Sequence, residues 1–417
     1  MAHDLAGRIR LLRQLRDSRL TRPSTADEEP ESGPSPQTGP IPVAEQTSAT
    51  PPAGFSALAD GVWGRVIRLA APQLAQVVRR GSVLLPAADD AAARAASIRF
   101  FDLETTGLSG GAGTKVFLAG VGVLEEETLR VEQLLLADLG AEPAFLDQLA
   151  LRFPEDALYV SYNGRAFDAH QLKTRFLMNR RVHSLQFHVD LLYPARRLWR
   201  SVLSRCSLAE LERSVLSIRR EADLPSAEVP ERYFAYLRNR DPAALEPVFA
   251  HHYHDIVSLS WLFITMDEIL RRPCAWLARS EVPFDAVQAA VWLLSHPRAA
   301  DRRFEAEELL NAVLRDEDRA SDERVEAGLL LGTCHKRAAR PHEAEQVYRL
   351  LYETFRDPRV AVELAKQLEH HRRDPAGALE VLEAVDLQGC PRGVTDDIEY
   401  RTQRLLRKRD RGRALHG

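Results

Sequence analysis

Phe101-Asp102-Leu103-Glu104-Thr105-Thr106-Gly107-Leu108 closes an apolar run that begins at Ile98. On a strand, residues two apart share a face, so Asp102 and Glu104 point the same way. Two carboxylates forced together at the end of an apolar strand repel each other and lose hydration. A purely structural role is costly unless cations neutralise them. Hard divalent ions such as Mg²⁺ or Mn²⁺ take oxygen ligands and suit such a pair. An Asp-x-Glu alone is a weak signal; the Thr-Thr-Gly-Leu that follows makes this one specific.

Outward from this stretch, 115–124 and 129–136 read as two further strands at hairpin-like separations, giving a three-stranded antiparallel meander. A helix over 142–152, a strand over 157–162, a helix over 167–178 and a strand over 186–190 follow. From Ser207 onward the pattern is almost entirely helical. Strands followed by alternating helix and strand predict an α/β domain with a mixed sheet flanked by helices. The run Gly107–Lys115 superficially resembles a phosphate-binding loop. Its order is Gly113-Thr114-Lys115 and a strand follows, so the P-loop pattern fails. Its glycines are expected to form a turn that leaves room for a substrate backbone.

Two more segments carry chemistry. In Tyr162-Asn163-Gly164-Arg165-Ala166-Phe167-Asp168, a strand ends, Asn-Gly turns the chain, and Asp168 opens a helix. An acid there is either a capping residue or a ligand. In His251-His252-Tyr253-His254-Asp255, a helix places His251 and Asp255 on one face. Zinc is disfavoured because neither a cysteine pair nor an H-x-x-x-H spacing accompanies the histidines. His252 and His254 project elsewhere and are expected to be incidental.

The chain has 417 residues, 45% of them apolar and 28% charged, which suits a globular protein of two or three domains. The net charge of −4 excludes a global basic field. A local one is available where Arg196, Arg197, Arg200 and Arg205 crowd together, with Arg213, Arg219 and Arg220 beyond. That cluster is either a phosphate-binding surface or a solvated helix face. Four scattered cysteines predict free thiols and a cytoplasmic setting. Neither a signal-peptide pattern nor a run of ~20 apolar residues is found, so no membrane role is expected.

The expected organisation is a short helix within 1–22, a disordered linker over 23–55, an α/β domain over 56–270 with its core at 97–262, and a helical region over 283–410. Ala327, Leu330 and Leu331 recur as Ala361, Leu364 and Ala365, and Pro341 and Ala344 as Pro375 and Ala378. The displacement of 34 is the period of tetratricopeptide hairpins, which bind extended peptides or assemble partners; a generic helical bundle is the plainer alternative.

Taken in order, Asp102, Glu104, Asp168 and Asp255 make the sequence resemble the DEDD exonucleases, and within them the YprB-like ribonuclease H-like domain. Further echoes are Gly110–Thr114 before Val116–Gly120, the Tyr162–Asp168 segment, His188–Leu192, Glu231–Leu237 and the closing His-His-x-x-Asp. The resemblance spans about 97–262. It implies a ribonuclease H-like fold, two Mg²⁺ or Mn²⁺ ions held by the four acids, and 3′→5′ exonuclease chemistry on single-stranded DNA or RNA. Asp102 then bridges the ions, and Thr105, Gly107, Leu108, Asn163 and Arg165 are the candidates for substrate contact. One departure stands out: the family places a tyrosine four residues before the last acid or a histidine five before it. Here His251 is four before and Ala250 five before, so His251 either orients or deprotonates the attacking water. Asp190 supports the site or merely caps the next helix, with capping the favoured role. Two rival functions use the same chain: an interaction protein working through its repeats, and a structure-specific endonuclease with the same acids.

Overall fold

The computed structural model describes residues 51–85, 98–107, 113–220, 224–278, 282–295 and 299–414. The expected N-terminal helix, most of the expected linker, Leu108 and Gly110-Gly111 lie outside the described residues.

Seven strands form one sheet: β1 (Ser56–Ala59), β2 (Val62–Ala70), β3 (Ile98–Thr105), β4 (Val116–Glu125), β5 (Thr128–Leu136), β6 (Leu158–Ser161) and β7 (Phe187–Asp190). Their order is β1-β2-β5-β4-β3-β6-β7. The meander β3-β4-β5 is antiparallel, whereas β6 and β7 run parallel to β3. Strands β1 and β2 were not expected; β2 pairs along its whole length with β5 and extends the sheet on that side.

The helices α1 (Pro72–Arg79), α2 (Glu142–Arg152), α3 (Asp168–Met178), α4 (Leu192–Trp199), α5 (Leu208–Ser214), α6 (Val229–Asn239) and α7 (Glu246–Arg271) flank this sheet. Alternation along β3 divides the core in two. Phe101 and Leu103 pack with α2, α3 and α6, while Ile98 and Phe100 pack with α1, α4 and α7. Asp102 and Glu104 therefore share the face that α7 crosses. At 26 residues, α7 is about 39 Å long and touches β3, β4 and β5.

Beyond α8 (Pro273–Leu277), the chain is a succession of helices: α9 (Ala286–Ser295), α10 (Ala299–Arg315), α11 (Ser321–Arg337), α12 (Pro341–Phe355), α13 (Pro358–His370), α14 (Pro375–Glu383) and α15 (Arg392–Ala414). Each packs on its chain neighbour. Most of the recurring positions do the same work in both copies, the exception being Leu330, which is half-buried where Leu364 is buried. Ala327, Leu331, Ala361 and Ala365 are buried, as are Ala344 and Ala378, and Pro341 and Pro375 each open a helix. One apolar cluster runs without a break from Phe100 and α7 to Ile398 and Leu405 on α15.

Candidate active site

Three residues in register across the sheet build the floor of the site. Asp102 on β3 pairs with Gly120 on β4, and Gly120 pairs with Gln133 on β5. His252 of α7 lies over this row. Its Nε2 is 3.0 Å from the Asp102 carbonyl and its Nδ1 is 2.9 Å from Gln133 Nε2. Gln133 in turn donates to the Phe249 carbonyl and accepts from Arg65. The glycine makes this possible: a Cβ at 120 would come within 2.6 Å of His252 Cε1 and would strike Ile256. Gly122, opposite Phe100, leaves the same kind of space for Ile256 one turn further along. Two glycines at alternate strand positions thus let α7 lie close upon the sheet.

His252 is consequently not incidental, as its place beside His251 suggested. An amide nitrogen donates to its Nδ1, so the ring donates from Nε2 to the Asp102 carbonyl and both nitrogens are satisfied. Burial lowers its pKa to about 4, against the opposing pull of that carbonyl and of Asp255. It is a neutral strut between the strand carrying Asp102 and the helix carrying Asp255.

With α7 so seated, two of the four expected carboxylates, Glu104 and Asp255, meet beside His251, while Asp102 and Asp168 lie outside that tight group. Ligand atoms of Glu104, His251 and Asp255 all lie within 4.8 Å of one another. Burial raises Asp102 well above the usual carboxylate range, and the charges of Asp255, Asp168 and Glu104 raise it further. Glu104 is raised by burial, Asp255 and Asp168. Asp168, the first residue of α3, is pushed up to about 7 by burial, Asp190 and Asp255. The cluster is still partly open to solvent, since the Asp102 side chain is 22% exposed and that of Asp255 15%.

Asp190 does both things considered for it. Its Oδ1 accepts from the Leu192 amide, capping α4, and also from the Asn163 amide at 2.7 Å, while its Oδ2 accepts from the Arg165 amide at 3.0 Å. Together with the positive φ of Asn163, these bonds shape the loop that delivers Asp168. Gly164 has no room for a side chain, because a Cβ would meet Asp168 Oδ2 at 2.9 Å. Arg165 donates to the His188 carbonyl. On the β3 side, Thr105 donates to the Gly107 carbonyl and Thr106 bonds Lys115, closing the turn. Lys115 itself is paired with Glu142 at 2.5 Å, in keeping with the failed P-loop pattern.

One cation, unforeseen in this role, sits among the acids. Arg220 is bound to Glu212 of α5 and to Asp255 Oδ1, and its Nη1 is 3.1 Å from His251 Nδ1. Burial opposes its charge, but Asp255 and Glu212 outweigh burial and hold it firmly protonated. Since a guanidinium only donates, His251 Nδ1 must accept, and the ring proton resides on Nε2, 3.5 Å from Asp255 Oδ2. Arg220 therefore belongs to the site and not to a solvated helix face. Among the described residues, one guanidinium stands against the four expected acids and Glu212, an excess of negative charge whose oxygen donors fit Mg²⁺ or Mn²⁺.

A mixed sheet with acids on an inner strand and a partner acid on the helix crossing it defines a ribonuclease H-like protein. Residues 99–266 match the family model described as the RNase_H superfamily, so the chain contains a domain of that superfamily. Within it, the chain belongs to the family of YprB. It is 34% identical over 320 residues to the uncharacterized protein YprB of Bacillus subtilis (strain 168), an alignment covering 74% of this chain and 74% of that protein.

Proposed function

We propose that this chain is a metal-dependent nuclease, a DEDD-type 3′→5′ exonuclease acting on single-stranded DNA or RNA ends with two Mg²⁺ or Mn²⁺ ions. The observation that carries the reading is the meeting of Glu104, His251 and Asp255 within 4.8 Å, with Asp102 and Asp168 near enough for their charges to bear on the group. Asp102, Glu104, Asp168 and Asp255 would hold the ions. When bound, two such ions lower the pKa of an attacking water and stabilise the leaving oxygen.

The remaining roles fall to the chain's own groups. Arg220 fixes the Asp255 carboxylate and sets the His251 tautomer. His251 then offers an N–H towards the cleft, which supports orienting the water or a phosphate oxygen over removing a proton. The backbone around Thr105 and Gly107 and the Asn163–Arg165 loop would border the substrate, and the Arg165 side chain is exposed. We assign catalysis to residues 56–270 and a separate role to the helices from about 283 to 410. Their buried positions repeating at 34 residues support a tetratricopeptide-like surface for a protein partner. Among the described residues no helix is long and apolar enough to cross a membrane, and four free cysteines support a cytoplasmic location.

The test uses the pure chain with single strands labelled at the 5′ or the 3′ end, in Mn²⁺. Shortening of the 5′-labelled strand one nucleotide at a time, with early release of the 3′ label as a mononucleotide, is expected. Internal fragments as the first products would favour an endonuclease using the same acids. An unaltered strand of either sugar would leave the interaction protein as the better reading.

A further inference from the structure

A second basic feature begins where the site's own scaffold ends. The Asp190 carboxylate joins the Asn163–Arg165 loop to the first turn of α4. From there α4 buries Leu192, Pro194, Ala195, Leu198 and Trp199. It turns Arg196 and Arg200 to solvent, together with Tyr193, which is 55% exposed. Arg196 and Arg200 are four apart and so share one face of the helix. Arg196 is close enough to Tyr162, the residue before Asn163, for its charge to bear on that phenol.

These side chains and Arg197 line an open cavity of about 550 Å³ between α4 and the start of α9. Its wall is oddly uncompensated. Asp285 is the one acid lining it among the described residues, and both its oxygens are engaged, by the Ser201 hydroxyl and the Gln288 amide. Arg196 and Arg200 meet no carboxylate at salt-bridge distance among the described residues. Many other arginines are paired, as in Arg175–Glu142, Arg319–Glu323 and Arg404–Glu369. Arg197 lies over the Trp292 ring, 5.4 Å from its centroid, so its planar group is held in place on an aromatic support. In a chain of net charge −4, this concentration of unpaired guanidinium groups calls for an anionic ligand.

We propose that the cavity between α4 and α9 binds the phosphate backbone of a single-stranded nucleic acid whose end lies in the carboxylate cleft. Arg196 and Arg200 meet successive phosphates, Arg197 presents its edge to a third, and Tyr193 offers a face on which a base stacks. The inference rests on the reading of the cleft as a nuclease site. It gives the junction between sheet domain and helices a role in holding long strands.

Fluorescence anisotropy of the full chain in EDTA, with a labelled oligo-dT of twenty residues, tests binding apart from cleavage. Each phosphate contact on a single strand contributes about 0.7 to the slope of log affinity against log salt. Arg196→Ala/Arg200→Ala should flatten the slope by about 1.4. Between 50 and 200 mM salt the parent should then lose about sevenfold more affinity than the variant. Arg196→Lys/Arg200→Lys should retain the parent's slope, which separates lost charge from a damaged fold. A variant with unaltered affinity and slope, or a parent that does not bind the strand, would overturn the proposal. So would binding of inorganic triphosphate tighter than that of the oligonucleotide, which would mark a pocket for free polyphosphates. Strand binding through these arginines without Mn²⁺-dependent cleavage would uphold the pocket and sink the nuclease reading; cleavage with an unchanged slope would do the reverse.

Discussion

Replacing His252 with phenylalanine keeps an aromatic ring over Gly120 but removes both polar contacts. The Asp102 carbonyl loses its 3.0 Å donor and Gln133 loses its 2.9 Å acceptor, in a place closed to water. A buried polar group left unpaired costs about 1–3 kcal/mol, so with two such groups the variant should be about 2–6 kcal/mol less stable at pH 7.5. The deficit should shrink on acidification. The ring titrates near 6.5 when unfolded and near 4 in the folded chain. Acid therefore loads the unfolded state first, and the parent loses stability as the pH falls through 6.5 towards 4. At pH 5 that linkage removes about 2 kcal/mol from the parent and nothing from the variant. Urea unfolding followed by tryptophan fluorescence, in EDTA at pH 7.5 and 5.0, reads both numbers. A difference between the two proteins that is equal at both pH values would show that His252 is not held neutral between strand and helix.

Asp168→Asn should stabilise the metal-free chain at pH 8 by up to about 4 kcal/mol. The raised pKa of about 7 means that protonation favours the folded state, so this advantage should fade between pH 7 and 4; thermal unfolding across that range checks it. Saturating Mn²⁺, at a hundred times its Kd, should stabilise the parent by about 2.7 kcal/mol and this variant by clearly less. Arg220→Met strands the buried Glu212 and should cost about 3–5 kcal/mol. Ring ¹⁵N shifts should then show His251 losing its fixed Nε2–H tautomer if the fold survives, whereas an unaltered tautomer would refute the role given to Arg220. Deletion of residues 283–417 tests the proposed domain division. It uncovers Leu198, Met266, Ile269, Leu270 and Trp276 of a continuous core, so an aggregating or dye-binding fragment is expected by gel filtration and fluorescence. A monodisperse fragment that binds Mn²⁺ would show that the division also holds for the core.

The sheet from β3 to β7 was legible because each strand is an apolar run bounded by turn residues, and the acids sit where those runs stop. Strands β1 and β2 left a fainter trace. Asp60-Gly61 is a hairpin-type turn, but the residues around it mix arginines with apolar positions because β2 is half exposed. Which of the adjacent histidines would be buried depended on what lies opposite α7. The clue was Gly120 and Gly122, alternate residues in an otherwise bulky strand, which mark a stripped face awaiting a helix. Nothing local distinguishes Arg220 from Arg196. One is drawn into the site by Glu212 and Asp255, which are 8 and 35 residues away, and the other meets no acid among the described residues. Sequence spacing carries local pattern well, but it does not carry which distant charges will be neighbours.

The most direct measurement compares the parent chain with Asp102→Asn on a 5′-labelled single strand, with Mn²⁺ and with EDTA. Asp102 stands on the strand that the helix crosses, near enough to the other three acids for their charges to bear on it. The account predicts progressive shortening of the strand by the parent in Mn²⁺, no cleavage in EDTA, and a loss of at least ~10²-fold in the variant, whose unfolding curve shows it folded. Cleavage retained by folded Asp102→Asn, or undiminished in EDTA, would contradict it.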